Sequence, residues 1–134
     1  MIAVQDLCIG NWVYDGERTQ FPMQVVGIGT DYVYLDFEGN EGDLWESKPE
    51  DLHGIPLTGE LLTKLGFTYN DAGLWKKKEK RREVSINIER GFLFIEAFEN
   101  KLKDSRGWWH GVEYLHQVQN CFRDIAKVEF KIEL

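Results

Sequence analysis

Alternation between apolar and polar residues along two neighbouring segments is the feature that most constrains this fold. Val84, Ile86 and Ile88 alternate with polar residues, and a Glu-Arg-Gly turn then leads into the apolar run 92–98. A period of two places successive side chains on opposite faces of a strand. The segment 83–98 therefore predicts an antiparallel hairpin. Because residues 92–95 are apolar on both faces, the second strand of the hairpin is expected to be a central strand of the sheet.

The first fifty residues contain further short apolar runs between glycine-rich turns. A strand is expected from Asn11, two more at 23–28 and 32–37, and a fourth at 43–46. Several short strands joined by tight turns favour a small, strongly bent antiparallel sheet. We expect an SH3-like β-barrel over residues 1–54, which is too small to bury much surface unless it packs on the rest of the chain.

Residues 55–134 predict a helix plus an antiparallel sheet. Thr58 is placed to cap a short helix near 59–65, and the apolar positions of 112–126 recur at intervals of three or four, as in an amphipathic helix. Strict alternation over 127–134 predicts a last strand. The expected fold class is α+β: an SH3-like barrel followed by an antiparallel sheet packed by a long C-terminal helix. Such a strand could also pair with its twin in a homodimer.

The charge of the chain is unevenly distributed. Its 134 residues have a net charge of −7; residues 1–60 hold twelve acids and two bases, whereas 61–134 hold eleven acids and fourteen bases. This distribution argues against a chain that wraps nucleic acid along its whole length. The run 76–82 alone carries six bases and one acid. Basic character is therefore concentrated in one segment.

Cysteine usage and hydropathy predict a reduced, cytoplasmic protein that does not insert in a membrane. Cys8 and Cys121 lie far apart and follow no Cys-x-x-Cys spacing, so neither a disulfide framework nor a zinc site is indicated. No apolar run reaches the roughly 18 residues that a membrane helix requires. We predict no metal and no cofactor.

The basic run allows two interpretations. As a nucleic-acid site it would neutralise phosphates while Trp75, or one of the pair Trp108 and Trp109, stacks on a base. As a structural feature it is a solvated loop between two strands that discourages edge pairing, and this second interpretation is favoured. The candidate nucleic-acid residues are Trp75, Lys76, Lys77, Lys78, Lys80, Arg81 and Arg82.

Trp108 and Trp109 are adjacent in a glycine-flanked stretch. If this stretch is extended, the two indoles point to opposite faces, so one is buried and the other meets solvent or a partner. Tryptophan is enriched among the residues that dominate interface energetics. The pair is therefore a candidate contact anchor, with the alternative that both indoles only cover the sheet and the start of the helix.

A polar stripe on the 112–126 helix is the remaining candidate. His116, Gln119, Asn120 and Arg123 are three or four residues apart and share one helix face. They offer hydrogen-bonding groups to a ligand or to a neighbouring loop, with a solvated helix face as the favoured alternative. Cys121 lies five residues after His116, about 140° around a helix, so the two do not form a nucleophile–base pair.

Three short segments are distinctive in their residue order: Asp6-Leu7 with Gly10-Asn11, the link 55–67, and the segment 114–120. Together they resemble a set of small uncharacterised proteins of Bacteroides-type bacteria and their phages. The resemblance implies a helix with a His-x-x-Gln-Asn pattern, here His116, Gln119 and Asn120, followed by a last strand. It implies no activity.

Three functions follow in order of support. The leading hypothesis is a non-catalytic interaction module of a phage or mobile-element process, with a protein as partner. The second is a nucleic-acid binder that uses the basic run. The third is an enzyme with a site around His116; it has least support because paired carboxylates, a nucleophile elbow and a phosphate loop are missing from the sequence.

Overall fold

The computed structural model describes residues 2–16, 21–42, 44–79, 81–100 and 103–134. These residues form two antiparallel sheets of five strands each and one long helix near the C-terminus. The predicted α+β class is therefore confirmed. The chain divides into two compact units, Met1–Pro56 with Tyr114–His116, and Leu57–Glu113 with Gln117–Leu134.

The first unit is a sheet of short strands in the order β4-β3-β2-β1-β5. The strands are β1 Trp12–Asp15, β2 Met23–Ile28, β3 Val33–Asp36, β4 Trp45–Ser47 and β5 Leu52–Gly54. Single 3-10 turns at Val4–Asp6 and Pro49–Asp51 precede β1 and β5. A bulge at Val26 shifts the register between β2 and β3, and such a bulge increases local twist.

Alternate residues of these strands build the core of the first unit. Val13, Val25, Leu35 and Leu52 are fully buried, as the alternation of strand side chains requires. Asp15 ties β1 to β4, because its carboxylate accepts hydrogen bonds from Trp45 Nε1 at 2.7 Å and from Ser47 Oγ at 2.5 Å. Residue 43, where the fourth strand was predicted to begin, lies outside the described residues.

Tyr114 belongs to this first unit. It forms an isolated antiparallel bridge with Pro56, and the amide of Leu115 donates to the carbonyl of Ile55 at 2.9 Å. A Cβ at Gly54 would lie 2.4 Å from Tyr114 Cγ. The sequence therefore places glycine where the tyrosine ring lies directly on the β5 backbone.

The second unit contains a sheet in the order β10-β9-β8-β7-β6. Its elements are α1 Gly59–Lys64, β6 Thr68–Tyr69, β7 Trp75–Glu79, β8 Arg82–Asn87, β9 Phe92–Asn100, β10 Lys103–His110 and α2 Leu115–Ala126. Thr58 caps α1, since its Oγ1 accepts from the amide of Leu61 at 3.1 Å. β8 and β9 pair as the hairpin that the alternation predicts.

The C-terminal helix begins later than the predicted residue 112. The amide of Val112 donates to the carbonyl of Gly91, and the carbonyl of Glu113 accepts from Leu57. These two residues use their backbone groups outside the helix, so α2 begins at Leu115.

The predicted last strand over 127–134 is wrong. Among the described residues no strand forms there, and Lys127 takes a left-handed conformation at φ 59° directly after the helix. Phe130 is buried between Phe67 and Phe122, with ring centroids 6.4 and 4.7 Å away. The alternating segment thus contributes the buried ring of Phe130 rather than a paired strand. A homodimer that pairs through a strand over 127–134 is therefore not supported.

Candidate interaction surface

The antiparallel register of β9 and β10 places their even-numbered side chains on one face of the second sheet. His110 lies opposite Phe92, Trp108 opposite Phe94, and Arg106 opposite Glu96. Residues directly opposite each other in an antiparallel pair have neighbouring side chains. We call the group Phe92, Phe94, Trp108 and His110 the aromatic face.

The rings of the aromatic face are in mutual contact. The indole of Trp108 is stacked on Phe92, with centroids 4.8 Å apart and planes at 16°, and is tilted against Phe94 at 5.4 Å. Its Nε1 donates a hydrogen bond to His110 Nε2 at 3.1 Å. Despite these contacts Trp108 remains 54 % exposed. The indole is therefore held in one orientation with one side open.

Trp109 lies on the opposite face of the sheet, as strand alternation requires. A Cβ at Gly107 would lie 2.1 Å from Trp109 Cη2 and 2.8 Å from Ile125 Cγ1. Trp109 thus covers a glycine beside the long helix and is half-buried. Of the two predicted anchors, Trp108 is the one that meets solvent.

Charges beside the aromatic face are paired with each other. Arg106 Nε lies 3.5 Å from Glu96 Oε2, and Lys76 Nζ lies 3.7 Å from Glu83 Oε1. Because both pairs are partly exposed, each contributes little to stability. Arg106 and Lys76 thus each have a carboxylate partner on the same sheet.

The basic run 76–82 is not a loop, so that part of the prediction is wrong. Residues 76–79 belong to β7, and Arg82 begins β8. Backbone pairing sends alternate side chains to opposite faces: Lys76 lies beside Ser85, in the row that also holds Phe94 and Trp108. The described bases of the run therefore do not form one surface.

Lys77 has a structural role on the inner face of the second sheet, which is the face opposite to the aromatic face. Its Nζ donates to the carbonyl of Leu65 at 2.8 Å, lies 5.6 Å from the centre of the Phe130 ring, and forms an ion pair with Glu79 at 3.5 Å. The Leu65 carbonyl is at the end of α1, where a cation also complements the helix dipole. Lys78 and Arg81 are exposed, Arg82 is half-buried, and Lys80 lies outside the described residues.

Trp75 is also on the inner face. Its ring lies 5.0 Å from that of Tyr69, and a Cβ at Gly59 would be 2.9 Å from its Cζ2. The indole fills the space above the glycine that begins α1. Trp75 is therefore not placed to stack on a base beside Lys76.

The polar stripe of α2 is largely buried, which contradicts the favoured interpretation of a solvated helix face. His116 and Gln119 are 4 % and 5 % exposed, and Asn120 and Arg123 are half-buried. Burial lowers the pKa of His116 from 6.5 to about 4, and the Asp6 carboxylate partly opposes this change. The imidazole is stacked on Tyr114 at 5.9 Å, and its Nδ1 has no hydrogen-bond partner among the described residues.

Cys121 is a buried thiol without the properties of a nucleophile. Burial, with a further contribution from Asp124, raises its pKa to about 12, whereas thiolate chemistry depends on a lowered pKa. In the described part of the chain, no group of three or more His, Cys, Asp or Glu residues is arranged to hold a metal ion.

The aromatic face includes three residues that the sequence did not single out as a site. Phe92 and Phe94 were expected only as parts of a central strand, and no role was predicted for His110. A strand over 103–110 was not predicted from the sequence. The pairing of this strand with 92–100 brings the even-numbered side chains of both strands together.

No protein-family model, curated protein or solved structure matches this chain. None of the helices in the described ranges has the length and apolar character needed to span a membrane.

Proposed function

We propose that this chain is a non-catalytic binding module that contacts a protein partner through the aromatic face. The observation that carries the proposal is Trp108, which is 54 % exposed although two rings and a hydrogen bond fix its orientation. A rigid aromatic side chain loses little conformational entropy on binding, and tryptophan is common among interface hot spots. The resemblance noted above suggests a phage or mobile-element process as its setting.

A random-peptide library panned against the intact chain tests this proposal. The tightest peptide should bind at least about tenfold more weakly to the Trp108→Ala variant, as for a central interface residue. Tyr69→Ala is the matched control because Tyr69 is an aromatic residue of the same sheet, 60 % exposed, outside the aromatic face. Circular dichroism of both variants verifies the fold. Equal affinity for the Trp108→Ala variant and the unaltered chain would refute the proposal.

Binding of single-stranded nucleic acid is a second candidate, favoured by one observation. Lys76 shares an outer-face row with Phe94 and Trp108, and Lys78 is exposed. Bases stacked on the indole with phosphates near these lysines would give binding that weakens steeply with salt. Fluorescence anisotropy with a labelled oligonucleotide tests it: the Lys76→Ser, Lys78→Ser variant should bind less tightly and lose salt dependence, and no binding at low salt removes the candidate.

An SH3-like barrel remains our proposal for the first unit. The five short antiparallel strands and the bulge at Val26 support it. A closed barrel would bring the edge strands β4 and β5 together, so nuclear Overhauser contacts between their backbones are expected. Their absence would leave an open sheet. Free thiols at Cys8 and Cys121 support a reducing, cytoplasmic setting.

A further inference from the structure

The outer edge of β10 is the second feature of this surface. β10 is the terminal strand of the sheet, and within the described residues β9 is its hydrogen-bonded neighbour. Its register with β9 shifts only between Lys103 and Asp104, so the strand runs regularly from Asp104 to His110. A terminal strand directs the backbone N–H and C=O groups of alternate residues away from the sheet, where another extended chain can pair with them.

Proline, a central bulge and unpaired charges are the features that usually block pairing at the edge of a sheet, and β10 has few of them. Proline is absent from 103–110, and the bulge lies at the start of the strand rather than in its centre. The one charged side chain of the half 106–110 is Arg106, which is paired with Glu96 of the neighbouring strand. The half that carries Trp108 therefore lacks these features that would block backbone pairing.

The aromatic face adjoins this edge directly. A strand added to β10 would place alternate side chains beside Trp108 and His110, at about 5 Å between Cβ atoms. The side chain placed beside Trp108 would meet an indole that is 54 % exposed, so an apolar side chain is complementary at this position. The partner chemistry is thus an extended peptide with apolar residues at alternate positions.

We infer that the partner binds as a sixth strand: an extended segment of another protein pairs with the outer edge of β10 and packs an apolar side chain against Trp108. This inference rests on the proposed function. Backbone hydrogen bonds would supply sequence-tolerant affinity, and the aromatic face would select the side chain.

Amide hydrogen exchange and a methylation scan of the peptide test the mode of binding. The probe is the tightest peptide from the random-peptide selection, added to the isotope-labelled intact chain. We expect protection of alternate amides within Arg106–His110, and no added protection in Thr68–Tyr69, the strand at the other end of the sheet. N-methylation at alternate peptide positions should weaken binding at least about tenfold, with the intervening positions tolerant.

The outcomes separate this inference from the proposed function. If Trp108→Ala abolishes peptide binding while the β10 amides exchange unchanged and no methylation matters, the partner binds the face without adding a strand, and the inference is wrong. If the β10 amides are protected in the peptide-free chain in proportion to its concentration, a second copy occupies the edge, which also overturns it. If no selected peptide depends on Trp108, the proposed function itself fails.

Discussion

Acidification should destabilise the folded chain through His116. The imidazole is 4 % exposed, and its pKa is lowered from 6.5 to about 4, mainly by burial. Between these values the unfolded chain binds a proton that the folded chain does not, so the free energy of unfolding falls as the pH falls. A difference of 2.5 pKa units at 1.36 kcal/mol per unit lowers the free energy of unfolding by about 3 kcal/mol. This decrease is absent above pH 6.5 and complete at about pH 4.

A substitution at His116 isolates this contribution from the carboxylates that titrate in the same range. Urea unfolding of the His116→Gln variant and of the unaltered chain, measured from pH 7 to pH 4, gives a difference in unfolding free energy at each pH. That difference should shift by about 3 kcal/mol in favour of the variant on acidification. The His53→Gln variant retains His116 and should keep the acid-side loss. A pH-independent difference for His116→Gln would refute the reasoning.

Three further predictions concern packing, a half-buried carboxylate that accepts two hydrogen bonds, and a thiol. Gly107→Ala should lower stability by about 2 kcal/mol, because its Cβ would overlap Trp109 and Ile125; Gly27→Ala, with its nearest atom 3.4 Å away, is the control in thermal unfolding. Asp15→Ala should cost about 2 kcal/mol by denaturant titration, because it removes the acceptor for Trp45 and for the buried Ser47, and Asp15→Asn should cost less. Cys121 should resist alkylation at pH 8 until the chain unfolds, because burial raises its pKa to about 12; peptide mass spectrometry locates the modified thiol, and rapid native labelling of Cys121 would contradict the prediction.

Local pattern was sufficient for most element types but not for pairing. The alternation at 83–88 predicts β8 correctly, because those side chains face both a core and an outer surface. The same alternation at 128–134 does not produce a strand, since strand formation depends on an available neighbour as well as on side-chain pattern. Conversely, 103–110 shows no clear alternation and still forms β10, because the hairpin with β9 supplies its hydrogen bonds.

The candidate site was only partly predictable for the same reason. Trp108 was identified from residue type and neighbourhood, but its contacts with Phe92 and Phe94 depend on a register that spans two strands. His116 and Gln119 were interpreted as part of a solvated stripe because polar helix faces usually meet water. Tertiary packing buries them, and that information is absent from the local spacing.

Lys76 and Lys77 show why residue type alone does not define a basic surface. They are adjacent, yet Lys76 lies on the outer face beside Glu83, whereas Lys77 donates to the end of α1 and lies over Phe130. Replacing the whole run would therefore remove a structural hydrogen bond together with the exposed charges, and lost binding would not distinguish unfolding from lost phosphate contacts. A test of nucleic-acid binding has to substitute Lys76 and Lys78 and retain Lys77, because only then does a change in affinity report on the outer face.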